Sequence, residues 1–212
     1  AAAANAPGGG RFGGGAAQRP ANAAGLNQFT WDMRYPDASS FRGMIMWAGS
    51  VRGPMAPAGE YSVRMTVGDA APQVATFKLV NDPRTTATAA DLQAQFDFLI
   101  QVRDRTTAAN DAVKTIRNVR LQLQERVAAA PRLRRSAAAI DSAMARVERE
   151  IYQVKNQSGQ DPLNYPVRLN NRIAALAGVA GSGPYRPTDQ AQAVFTELSA
   201  ALAYKLGRSA DS

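Results

Sequence analysis

Three carboxylates, Asp97, Asp104 and Asp111, recur at heptad spacing, the kind of array that performs acid–base work or holds a divalent cation. Arg103, Arg105 and Lys114 are interleaved with them, so the row reads instead as a solvated ion-pair face. The 212-residue chain contains no histidine and no cysteine. That removes the commonest general base and metal ligand, thiolate chemistry, disulfides, and any Ser–His–Asp or Cys–His site. Carboxylate, lysine, tyrosine or Ser–Lys chemistry is what remains, and no such group of residues stands out. The expectation is a protein that is not an enzyme and that uses no metal and no cofactor.

Two basic features invite a nucleic-acid reading. Gly8-Gly9-Gly10-Arg11-Phe12-Gly13-Gly14-Gly15 resembles a phosphate cradle or one Arg-Gly-Gly element, but it lacks the Gly-Lys-Ser/Thr ending of a P-loop and no strand precedes it. It is read as a linker, with Phe12 its one large apolar side chain. Arg117, Arg120, Arg126, Arg132, Arg134 and Arg135 flank a helix-to-helix turn without the aromatics that stack bases. They are read as a solvated bundle end, and an acidic protein partner is preferred to nucleic acid. The net charge of +8 is carried almost wholly by arginine, which suits carboxylates and phosphates.

The elements that must position these residues are legible from periodicity. Residues 1–26 are low in complexity and offer too few large side chains for a core, so they form a flexible tail. Residues 27–82 carry period-two patterning: Phe29, Trp31 and Met33; the run Met44-Ile45-Met46-Trp47; Tyr61, Val63, Met65 and Val67; then Val74 to Leu79. Turn residues separate the four segments, at Tyr35-Pro36-Asp37, from Gly53 to Gly59, and at Gly68-Asp69 with Pro72. The expectation is a small antiparallel, immunoglobulin-like β-sandwich with an open edge.

Residues 83–207 read as an antiparallel helical bundle of three long helices and one short one, and 208–212 as a tail. Residues 85–130 contain neither Gly nor Pro and carry a heptad-like stripe from Leu92 to Val127, broken by polar residues such as Arg120. After Pro131 the steps Leu133, Ala137, Ile140, Met144, Val147, Ile151, Val154 alternate four and three without error. A short helix follows at about 167–177, and Thr188 caps the last one. The fold class is therefore α+β, and no apolar run approaches a membrane span, nor is a signal peptide visible at the start.

The large aromatics of residues 27–82 are assigned first to the core, with Tyr35 and Phe41, both near turns, the ones expected at the surface. With Phe12, Arg42, Arg52 and Met55 they are the candidate partner-binding residues, because loops on a rigid scaffold carry binding anchors.

Trp31-Asp32-Met33-Arg34-Tyr35-Pro36, Phe41-Arg42-Gly43-Met44-Ile45-Met46-Trp47, Pro57-Ala58-Gly59-Glu60-Tyr61-Ser62-Val63-Arg64 and Leu163-Asn164-Tyr165-Pro166-Val167-Arg168-Leu169-Asn170 together resemble the C-terminal region of bacterial sortilin-like (VPS10/BNR-repeat) β-propeller proteins. The Gly-x-Tyr-x-Val-Arg strand also resembles the immunoglobulin-like domain of flagellar hook-capping proteins. A fainter likeness is to an extracytoplasmic accessory subunit of a bacterial photosynthetic complex. The resemblance implies secretion to the periplasm or beyond, a propeller upstream, and any hydrolase activity in that propeller rather than here. The function expected is a non-catalytic, structural protein–protein interaction subunit docked on a larger membrane-associated assembly, such as a photosynthetic reaction-centre complex, with other protein subunits as partners, no nucleic acid and no membrane span of its own. The alternative is an accessory domain of a secreted propeller protein.

Overall fold

The computed structural model describes residues 21–210, except for the side chains of 208–210. Of the expected tails, residues 1–20, with Phe12, and 211–212 lie outside this range, while the backbone of 208–210 is helical. The protein is α+β and mostly helical. A two-stranded antiparallel sheet, β1 (Gly59–Met65) and β2 (Gln73–Leu79), is followed by four helices: α1 (Ala89–Ala129), α2 (Arg134–Ile151), α3 (Leu169–Ala180) and α4 (Asp189–Ala210).

The 41 residues of α1 extend about 60 Å at roughly 1.5 Å per residue. It runs this far because nothing in it breaks a helix. Thr88 caps its start, its side-chain oxygen accepting from the Asp91 amide at 3.1 Å. Ala130 and Pro131 end it. Val102, Thr106, Ala109, Asn110, Val113 and Ile116 form its buried stripe. Of these, Val102, Ala109 and Val113 pack with Ile151, Ile173, Leu198 and Leu202 of the other three helices into one core. Thr188 caps α4, accepting from the Ala191 amide at 3.2 Å.

The four–three seam of α2 is buried only in part. Ala137 and Ile151 are buried and Ile140, Met144 and Val147 are half-buried, whereas Leu133 and Val154 are exposed because the helix begins after the one and ends before the other. The polar break at Arg120 has its own cause. Its guanidinium bonds Asp141 at 2.8 Å and Glu148 at 2.9 Å across the α1–α2 interface, and Arg117 bonds Glu148 at 2.7 Å. Glu148 is 3% exposed, so the two arginines compensate a charge that the core would otherwise reject.

Among the described residues the expected four-stranded sandwich is reduced to the last two strands. The hairpin reads as expected, with Tyr61 opposite Phe77, Val63 opposite Ala75 and Met65 opposite Gln73. Residues 33–56 instead form a strap over the helices. Its two limbs meet through a single bridge, Arg34 to Met55, flanked by Tyr35 N–H to Pro54 O, Ala38 N–H to Val51 O and Ala56 N–H to Met33 O at 2.7–2.9 Å. Pro36 and Pro54 lack the amides that would extend a ladder, and Met33 at φ 58° turns the first limb. The limbs approach so closely that a Cβ on Gly53 would lie 1.9 Å from the Tyr35 carbonyl oxygen. Strand-like alternation is present in the sequence, but between the limb-to-limb bonds the backbone groups of Ser39, Ile45 and Trp47 are taken by side chains of the helical part.

Candidate partner-binding surfaces

The strap is held by side chains of two helices, α1 and α3, and of the residue after α2. Asn171 on α3 brackets Trp47: its Oδ1 accepts from the Trp47 amide at 2.6 Å and its Nδ2 donates to the Trp47 carbonyl at 2.7 Å. Tyr152, the residue following α2, accepts from the Ile45 amide at 3.1 Å. Asn110 on α1 donates to the Ser39 carbonyl at 2.6 Å and accepts from Asn170 at 3.1 Å, and Asn170 in turn accepts from the Asn171 amide at 2.7 Å. Thr107 accepts from the Ser39 amide at 3.1 Å, and the Ser39 hydroxyl bridges Lys114 and Asp111. Asn110, Asn170 and Asn171 are all buried. A buried polar chain is stabilising only when each member is satisfied, which fixes one docking position for the strap.

The sequence-stated candidates fall on this scaffold in different ways. Tyr35 and Phe41 are half-buried: Tyr35 packs edge-on against Phe96 at 4.8 Å and Phe41 against Tyr152 at 5.0 Å. The Arg117 guanidinium lies 4.6 Å from the Phe41 ring centre, so the half-buried Phe41 ring anchors the strap on the helices. Trp47, assigned to the core from sequence, is 42% exposed; its backbone is gripped while its ring reaches solvent. Arg42, Arg52 and Met55 are exposed as expected. Asp97, Asp104 and Asp111 are occupied by Gln93, Arg103 and Lys114 respectively, and among the described residues no three carboxylates converge as metal ligands would. Hydrogen bonds from Lys114 and Ser39 hold the Asp111 carboxyl below the ordinary carboxylate range.

Among the described residues two surfaces combine exposed apolar groups with the candidate residues of the strap and hairpin. The first is one face of the hairpin. Register places Tyr61, Val63, Met65, Ala75 and Phe77 on that face, and Glu60, Ser62, Arg64, Thr76 and Lys78 on the other. Trp31 covers the near end, 5.7 Å from Tyr61 and 6.1 Å from Phe77 between ring centres. The far end is bare: Val63, Met65 and, just beyond β1, Val67 are 55, 52 and 65% exposed. Both strands are edges.

The second is a cleft of about 450 Å³ between the strap, the first half of α1 and the end of α3. Leu92, Phe96, Leu99 and Met55 give it an apolar wall, and Arg34, Arg52 and Arg103 stand along it. The Arg34 guanidinium donates to the Gly53 carbonyl at 2.9 Å. Burial, with the charge of Arg52 added, lowers its proton affinity from the ordinary guanidinium value. Among the described residues no helix is long and apolar enough to cross a membrane. No family model matches the chain, and no curated protein and no solved structure is significantly similar to it.

Proposed function

We propose that this protein is a non-catalytic docking subunit that receives a partner polypeptide on the apolar face and open edges of its β-hairpin. The observation that carries the reading is the uncovered far end of that face. Period-two alternation in β1 is a pattern for a half-buried strand, yet among the described residues cover is supplied only as far as Trp31 reaches. A two-stranded hairpin is marginal by itself in water, and exposed valine and methionine on an edge strand invite pairing or packing by another chain. The helical bundle and the pinned strap are then the rigid base from which the hairpin is presented.

The larger setting, an extracytoplasmic and membrane-associated assembly of the kind exemplified by a photosynthetic reaction-centre complex, is proposed on the sequence resemblance alone. The β-sandwich-like character of residues 27–82 is carried forward in the same sense: a partner strand added to β1 or β2 would enlarge the sheet. The test is co-purification of the native protein with its partners, wild type against Val63→Glu/Met65→Glu. Both side chains are exposed, so the variant should fold and melt as wild type does. Loss of the partner with unchanged melting supports the reading; full retention of the same partner overturns it.

A further inference from the structure

We infer that the cleft between the strap and α1 is a second binding site, for an extended peptide segment that combines acidic with apolar side chains. It shares none of the hairpin-face residues Tyr61, Val63, Met65, Ala75 and Phe77, so it can be filled independently. Its lining contains three arginines and no aspartate or glutamate. Their compensation within the protein is incomplete. Arg103 has a close partner in Asp104 at 2.6 Å, but Arg52 reaches Asp32 only at 3.8 Å with both side chains more than half exposed. Arg34 has no carboxylate within ion-pair distance among the described residues and spends one donor on Gly53. A guanidinium stays protonated even when burial disfavours it, and offers five donors in a fork that fits carboxylates. Asp32 and Asp37 act on Arg34 only from beyond ion-pair distance, so guanidinium donors along the cleft are left for a carboxylate to take.

The shape favours a chain over a small ion. The α1 wall runs from Leu92 to Thr106, about 21 Å at roughly 1.5 Å per residue. That matches roughly six residues of extended peptide. Leu92, Phe96 and Leu99 lie one above another on this stretch, as positions three and four apart on a helix do, and Met55 faces the same space from the strap. Apolar side chains of a ligand have somewhere to go, and its acids meet Arg34, Arg52 and Arg103. Residues 1–20 of this chain contain no acid, so they do not have the chemistry of the occupant.

Fluorescence anisotropy on the full chain tests the site, with a short labelled peptide alternating Asp or Glu with Leu and Phe as probe. Saturable binding of one peptide per chain is expected, weakened several-fold by added salt as screening requires. Arg52→Glu should weaken it by about tenfold or more, since it reverses an exposed charge that the fold does not need. Arg135→Glu, an equal charge change at the far end of the bundle, should not. Val63→Glu should leave the affinity unchanged, which separates this site from the hairpin face. A probe with Leu and Phe replaced by Ser should bind at least about tenfold more weakly. No saturable binding overturns the inference. So do equal losses in the Arg52 and Arg135 variants, equal binding of the serine probe, or occupation by a fatty carboxylate such as decanoate and not by the peptide.

Discussion

Replacing Asn171 by Ala removes both bonds that hold Trp47 and leaves the Trp47 amide and carbonyl without their partner. A typical hydrogen bond contributes about 1 kcal/mol net, and an orphaned buried group costs about 1–3 kcal/mol. Because the Trp47 ring is partly exposed, water can recover some of this. The loss should be about 2–4 kcal/mol, or about 4–16 °C in melting temperature at roughly 2–4 °C per kcal/mol for a chain of this size. Thermal melts followed by circular dichroism read the stability. Emission of Trp47 in a Trp31→Phe background reads the strap directly and should move toward that of a fully solvated indole. A melting temperature within about 1 °C of the parent, together with unchanged Trp47 emission, would show that the asparagine clasp does not hold the strap.

Other consequences are equally open to measurement. Glu148→Ala leaves Arg117 and Arg120 facing a vacated buried acceptor; urea melts should show a loss of about 3 kcal/mol, the low end for breaking a buried pair because Arg120 keeps Asp141. Gly53→Ala sets a methyl against the Tyr35 and Pro36 carbonyls, which are backbone and cannot step aside, and should cost about 3 kcal/mol in the same assay. The depressed Asp111 carboxyl contributes stability that is present above its unfolded pKa of about 3.9 and is lost as pH falls through its lower folded value. Asp111→Asn should therefore lower the melting temperature at neutral pH, leave it little changed in acid where the carboxyl is protonated anyway, and so flatten the acid limb of the profile below about pH 4; an unchanged limb would place the acid sensitivity elsewhere.

The helices were legible because their signals are local. Absence of Gly and Pro over residues 85–130, a threonine at each of two helix starts and an apolar stripe on α1 are statements about neighbours in the chain. The hairpin was legible for the same reason. The strap was not, because what replaces its sheet partners lies more than a hundred residues away, in Tyr152 and Asn171. A strand pattern in 27–58 records which side chains are apolar, and cannot say that the amides of Ile45 and Trp47 will be taken by side chains of a helical bundle. A usable signal was present in two places. Adjacent asparagines, Asn170 and Asn171, stand in the first turn of a helix that is apolar from Ile173 onward, and Arg120 interrupts a heptad stripe; each marks a polar group that must be satisfied inside. Tyr35 and Phe41, expected at the surface because they lie near turns, are half-buried because those turns are docked on the helices. Of the binding candidates, Arg52 and Met55 are brought together in the cleft, while the uncovered hairpin face was masked by reading its alternation as core.

The central claim is that a partner protein sits on the hairpin. Lys78 is well placed to report on it, since it lies on β2 and is exposed, whereas Lys114 and Lys205 are paired on the helices. Amine-reactive cross-linking of the native protein in its source fraction, read by mass spectrometry, should join Lys78 to a second polypeptide, and Val63→Glu/Met65→Glu should abolish that product. Cross-links from Lys78 confined to this chain, with other polypeptides reached only from Lys114, Lys155 or Lys205, would contradict the account.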